Sequence, residues 1–151
     1  SREKTPVFTT EETLFEIGKA EIFWESQKPK AAIISCGPVL YNALIAAKEL
    51  KEEGIGVIVV NNHTIKPMDE ERIIEFARRT GAVVTIEDHQ IAGGMGSAVA
   101  EVLAKNYPVP IEFVGIKDVF GESGSPAELM GKYGLGVNNI KSAVEKLLKL
   151  K

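Results

Sequence analysis

The sequence predicts a three-layer α/β/α sandwich around a mostly parallel five-stranded sheet with one antiparallel edge strand. Two observations carry this expectation. Short, mainly apolar runs (31–35, 57–60, 82–86 and 111–116) alternate with stretches whose apolar residues recur at helical spacing, the signature of strands buried on both faces and crossed over by helices. Glycine or proline stands at most of the junctions, where a chain changing direction needs unusual backbone angles or a helix start.

The elements follow in order. After a turn at Thr9–Glu12, the segment Phe15–Glu25 mixes alternating and adjacent apolar residues, and part of it is read as the edge strand. Ala31–Ser35 is the first buried strand. Gly37-Pro38 then opens a helix carrying Leu40, Leu44, Ala47 and Leu50, which stops at Gly54. Val57–Val60 is the second buried strand. Asp69 is placed to cap a helix with Ile73, Ile74, Phe76 and Ala77 on its apolar side, ending at Thr80-Gly81. Ala82–Ile86 is the third, followed by a polar, glycine-rich loop and a helix over Ser97–Lys105. Ile111–Ile116 is the fourth. A short helix from Pro126 to Tyr133 and a final amphipathic helix with Ile140, Val144, Leu147 and Leu148 complete the set. Repeated strand-helix alternation with right-handed crossovers yields a parallel sheet with helices on both faces.

Composition narrows the function. At 151 residues and 44% hydrophobic content, the chain suffices for one domain with a real core. The lone Cys36 excludes a disulfide framework and fits a reducing compartment. A net charge of -3, with basic residues scattered, offers no stripe for nucleic-acid phosphates. No apolar run approaches the roughly 20 residues that span a bilayer, and the start, Ser1–Lys4, lacks the apolar stretch of a signal peptide. The expectation is a cytoplasmic protein without nucleic-acid or membrane partners.

Ligands of such sheets sit at the carboxyl ends of the strands. The segment with most chemistry there is Glu87-Asp88-His89, followed by Gly93, Gly94, Gly96 and Ser97. Carboxylates beside an imidazole can move protons, and glycines opening a helix can cradle an anion with backbone N–H groups. As a dinucleotide fingerprint the run is incomplete: Val99 stands where a third glycine belongs, and the approach from the strand is long. The alternative reading makes the glycines close-packing and positive-φ positions and His89 a hydrogen-bonded loop residue. Cys36, between a strand and a helix start, is either an activated thiolate or a small buried thiol. A nucleophile elbow would place glycine at position 34, which is Ile34. Two histidines and one cysteine far apart in sequence give no metal-ligand spacing.

The residues also carry a resemblance. Phe15-Glu16-Ile17-Gly18-Lys19-Ala20, Ala32–Gly37, Thr64-Ile65-Lys66-Pro67-Met68-Asp69, and Thr85–His89 with Gly93–Gly96 occur in the order seen in the C-terminal domain of transketolase. The similarity extends to Ser125-Pro126-Ala127-Glu128-Leu129 and Tyr133-Gly134-Leu135. The same domain type occurs in deoxyxylulose-phosphate synthase and, more distantly, in the beta chains of 2-oxo acid dehydrogenases. The resemblance implies the ketol transfer of the pentose phosphate pathway. There thiamine diphosphate with a divalent metal (Mg) moves a two-carbon unit between ketose and aldose phosphates, and the cofactor supplies the difficult electronics. It also implies that the cofactor is held by N-terminal and middle domains, since this chain has no Gly-Asp-Gly followed by a distant Asn.

Three expectations follow. The isolated chain is inactive, with no catalytic residue of its own. It joins thiamine-binding domains or subunits in a homodimeric enzyme, with residues 9–151 as the domain and 1–8 as the remnant of the junction with the middle domain. Arg2, in a Ser-Arg pair like one at the end of that middle domain, contacts the sugar phosphate in the complete enzyme through forked, charge-assisted hydrogen bonds. Under this resemblance Glu87, Asp88 and His89 organise a loop or an interface. The other possibilities are the C-terminal domain of deoxyxylulose-phosphate synthase, a stand-alone nucleotide or anion-binding module using Gly93–Ser97 and, more remotely, a Cys36 hydrolase.

Overall fold

The computed structural model describes residues 5–150; Arg2, expected at a sugar phosphate, lies outside the described residues. The five strands are β1 (Glu21–Glu25), β2 (Ala31–Ser35), β3 (Val57–Asn61), β4 (Val83–Gln90) and β5 (Ile111–Ile116), in spatial order β1-β3-β2-β4-β5. β2, β3, β4 and β5 are mutually parallel and β1 runs antiparallel to β3. The helices are α1 (Leu40–Glu52), preceded by a 3-10 turn at Gly37–Val39, then α2 (Glu70–Thr80), α3 (Met95–Asn106), α4 (Pro126–Lys132) and α5 (Val137–Leu148).

Alternation along each strand divides the core. Ala31, Ile33, Val57, Val59, Val84 and Ile86 face α1 and α5, while Ala32, Ile34, Ile58, Val60 and Val83 face α2 and α3. β2 is buried along its whole length, as its unbroken apolar run requires. The edge strand takes the last part of the segment read for it, Glu21–Glu25. Gly18, at φ +82°, turns the chain, and residues 15–18 fold back against the segment after β3 before pairing begins at Glu21. Phe8 packs against Phe23 and Tyr41, with both ring centroids 5.9 Å away, which fixes the chain entering the domain.

Asp69 caps α2 by accepting from the Arg72 N–H, and its second oxygen accepts from the buried Ala20 N–H at 3.1 Å. One carboxylate therefore closes a helix and anchors the approach to β1. Asp69→Ala is expected to lower the unfolding free energy by about 1–3 kcal/mol, because it removes a cap and orphans a buried donor. Urea denaturation checks this; a change below about 0.5 kcal/mol would show that neither bond matters.

The order of the strands creates a switch point. β2 leads through α1 to β3 on one side, whereas β4 lies on its other side and leads through α3, on the opposite face, to β5. The connections leaving β2 and β4 diverge, opening a crevice between their carboxyl ends where such folds bind ligands.

Candidate functional site

Two clefts occupy that crevice, and Pro38 and Asp88 line both. The larger, about 470 Å³, is apolar: Tyr41, Ile116, Met130 and Leu135 are among its walls. The smaller, about 390 Å³, gathers what the sequence singles out: Cys36, Glu87, Asp88, His89, Gly93 and Gly94. The ionisable candidates thus line the smaller cleft.

The apolar run predicts a third strand ending at Ile86, with Glu87–Gln90 in a loop. The structure corrects this: β4 continues to Gln90. Ile86 pairs with Val114 and Gln90 with Ile116, so three residues of β4 stand between these pairs where β5 has one. A bulge of this kind re-aims side chains beside a site. Gly115 opposite leaves the room, since a Cβ there would come 3.1 Å from the His89 carbonyl oxygen.

The bulge directs Glu87 inward, where it is 3% exposed. Its Oε2 accepts from the Met95 N–H at 2.7 Å and its Oε1 from the Gly96 N–H at 2.8 Å. The first amides of α3, the donors an anion would use, are therefore already satisfied by a carboxylate of the protein. This explains two further observations. α3 begins at Met95, two residues before the expected Ser97. Gly94 and Gly96 are tight positions: a Cβ on Gly94 would run into the Glu87 carboxyl and come 2.5 Å from the Gln90 carbonyl oxygen, and one on Gly96 would come 2.5 Å from Thr85 Oγ1. Gly93 has φ +75° but open space around it. Its N–H donates to Ser97 Oγ, whose hydroxyl donates to the Ile91 carbonyl at 2.7 Å.

Asp88 and His89 are exposed at the rim. His89 Nδ1 donates to the Gln90 carbonyl at 2.9 Å. Gln90, which sequence reasoning misses, accepts from the Asp118 N–H with its side chain and joins the loops after β4 and β5. A glutamine beside three ionisable residues carries no signal of its own.

Cys36 is partly buried. Burial, and secondarily the Glu87 carboxylate, push its thiol up from 9.0 to about 11. The 3-10 turn beginning there therefore does not produce an activated thiolate. Among the described residues no hydrogen bond joins either imidazole to the sulfur. His63 is engaged elsewhere, stacked on Phe15 with centroids 4.1 Å apart and donating from Nε2 to the Glu16 carbonyl. Alkylation of Cys36 by iodoacetamide at pH 8 is expected to run roughly 100-fold slower than for an unshifted thiol, because the thiolate fraction falls tenfold per unit of pKa. A rate like that of free cysteine, followed by mass spectrometry, would contradict it.

The row of strand ends holds two further polar residues, Ser35 and Asn62, of which the second falls in a segment, residues 61–67, that the sequence places at the carboxyl ends of the strands. Ser35 and Asn62 are fully buried, and their side-chain polar atoms have no partner among the described residues. The Asn62 N–H donates to the Ser35 carbonyl, extending the β2-β3 ladder past its last registered pair.

These groups do not fit a thiamine diphosphate-metal pair. A diphosphate at the start of α3 would meet the Glu87 carboxylate instead of free amides, and among the described residues no three His, Cys, Asp or Glu side chains converge as metal ligands. Nor, among these residues, is any helix long and apolar enough to cross a membrane.

Comparison with known proteins identifies the domain type. The family model for the transketolase C-terminal domain matches residues 18–140. The 6-deoxy-6-sulfo-D-fructose transketolase subunit of Clostridium sp. (strain MSTE9) is 43% identical over 137 residues, covering 91% of this chain and 42% of that protein. The 1-deoxy-D-xylulose-5-phosphate synthase of Desulforudis audaxviator (strain MP104C) is 43% identical over 131 residues, covering 85% of this chain and 20% of that protein. A solved structure described as a split gene transketolase, inactive beta4 tetramer, superposes with a TM-score of 0.93 at 45% identity, covering 99% of this chain and 48% of that one. The chain spans less than half the length of each of these proteins. With matching sequence over most of its length and the same arrangement of strands and helices, the chain belongs to the transketolase C-terminal domain family.

Proposed function

We propose that the chain is the C-terminal domain of a cytoplasmic transketolase, supporting the assembly of an enzyme that transfers a two-carbon ketol unit between sugar phosphates. The observation that carries the reading is the family match over residues 18–140 in a domain whose own anion-ready helix start is closed by Glu87. Thiamine diphosphate and Mg would be held by the N-terminal and middle domains or subunits, and the complete enzyme is a homodimeric assembly. The role of this chain's residues is architectural: Glu87 fastens α3 to β4, Gln90 links two loops, and Asp88 and His89 present an exposed polar rim to whatever adjoins the crevice. Arg2 would contact the sugar phosphate only in the complete enzyme.

Mixing the chain with the thiamine-binding domains of the same enzyme, thiamine diphosphate and Mg is the test. Ketol transfer from a ketose phosphate to an aldose phosphate is expected from the mixture and from neither part alone. Activity of the isolated chain, or none from a mixture shown to assemble, would refute the proposal. The 43% identity to a 1-deoxy-D-xylulose-5-phosphate synthase favours a second reading, the C-terminal domain of such a synthase. The product distinguishes them: a transferred ketol unit leaves a new ketose phosphate, whereas the synthase yields a deoxyxylulose phosphate.

Under the architectural role, His89→Ala in the complete enzyme is expected to alter stability or dimerisation more than turnover. Sedimentation and steady-state rates measured together check this, and a large fall in turnover with intact assembly would count against it.

A further inference from the structure

Two segments with exposed apolar side chains, the one before β1 and the one after β3, meet beyond the carboxyl end of β3. Leu14 is 73% exposed, Phe15 71%, Ile17 76% and Ile65 44%. Scattered single apolar residues on a surface are ordinary; several held together mark an interaction surface. These are held. The Phe15 ring stacks on His63, the His63 Nε2–H donates to the Glu16 carbonyl at 2.9 Å, and the Gly18 N–H donates to Thr64 Oγ1 at 3.1 Å. These contacts tie residues 15–18 to residues 63 and 64, and Leu14, Ile17 and Ile65 are the next exposed apolar residues along the same two segments. Glu16, Lys19 and Lys66 are charged neighbours in the same two segments, giving the apolar centre and charged margin of a protein-protein contact.

The position of the patch indicates its occupant. The matched family domain is a C-terminal one and its match begins at residue 18, so in the longer relatives the rest of the enzyme enters through the segment corresponding to residues 5–17. Leu14, Phe15 and Ile17 lie at that entry. A body tethered so close has a high effective concentration, and a small apolar contact suffices to dock it. We infer that Leu14, Phe15, Ile17 and Ile65 are the docking surface for the thiamine-binding part of the same enzyme. This inference rests on the proposed function and names the surface through which it operates.

The test uses the complete enzyme with every chain it naturally contains. Phe15 is replaced by the photo-crosslinker p-benzoylphenylalanine, a phenylalanine analogue, and the adduct is mapped by mass spectrometry after irradiation. An adduct on the thiamine-binding domains is expected. An adduct on a second copy of this domain, or no protein adduct at all, would overturn the inference.

In parallel, Phe15→Asp/Ile17→Asp is expected to weaken docking at least about tenfold, seen as faster hydrogen exchange at the site that the Phe15 adduct maps on the thiamine-binding domains and loss of ketol transfer. The control Tyr107→Asp, at an exposed residue just after α3, should leave both unchanged. Circular dichroism and thermal melts of each variant confirm that the domain still folds. A double variant that folds, exchanges and turns over like wild type removes the inference but leaves the proposed function standing. Crosslinking to the thiamine-binding part without ketol transfer by the wild type removes the proposed function, while the docking surface stands.

Discussion

Replacing Glu87 by alanine is expected to lower the unfolding free energy of the domain by about 3 kcal/mol and its Tm by roughly 6–12 °C. The carboxylate accepts two hydrogen bonds from amides at the positive end of a twelve-residue helix, and bonds to a charged acceptor contribute about 1.5–3 kcal/mol each. Part of that gain is offset in the wild type by the cost of holding a charge at 3% exposure. Alanine removes both acceptors and leaves two buried donors facing a void. Glu87→Gln keeps one acceptor but turns an NH₂ group toward an amide donor, so a loss of roughly 1–3 kcal/mol is expected. Formate, small enough for the vacated space, should restore part of the stability of Glu87→Ala and leave the wild type unaffected. Urea titration with and without formate measures both effects. A Glu87→Ala domain within about 0.5 kcal/mol of wild type would mean that the helix start is satisfied some other way.

The second large effect is expected from Gly94→Ala, at about 2–4 kcal/mol. The new methyl group would lie 2.5 Å from the Gln90 carbonyl oxygen and against the Glu87 carboxyl. The carbonyl belongs to a paired strand and cannot yield cheaply, so α3 must retreat from β4 and its bonds to Glu87 lengthen. Gly93→Ala is the instructive contrast. Gly93 adopts φ +75°, and an added methyl group there would meet nothing within 4 Å, so only the left-handed backbone penalty applies, about 1–2 kcal/mol. Thermal unfolding of the two variants should rank Gly94→Ala below Gly93→Ala. Equal or reversed melting temperatures would show that close packing of helix on strand is not what glycine provides at position 94.

The sheet was legible in the sequence because each inner parallel strand is wrapped by helices on both sides. Ala31–Ile34 and Val57–Val60 are apolar at every position for that reason, and no neighbouring element is needed to recognise them. The helix over Glu70–Thr80 was equally plain: Asp69 caps it and Gly81, at φ +65°, ends it. The family resemblance rested on short motifs, and parts of several of them, Cys36-Gly37 and Glu87 to His89 with Gly93 and Gly94 among them, line the crevice. The edge strand was less legible, since β1 is only partly buried and its sequence shows no clean period.

What the sequence by itself determined is therefore the layered architecture and the candidate set Cys36, Glu87, Asp88 and His89 at the carboxyl ends of the strands. What only the tertiary structure decided is where those residues stand and which groups they bond to. Three adjacent polar residues look alike in sequence, but a bulge set by pairing with β5 sends Glu87 beneath α3 and leaves Asp88 and His89 at the surface. The glycines that suggested an anion cradle instead let a helix approach a buried carboxylate. The reason is physical: periodicity and composition report which face a residue occupies, whereas hydrogen-bond partnership depends on register between strands and on the distance of closest approach between elements far apart in the chain.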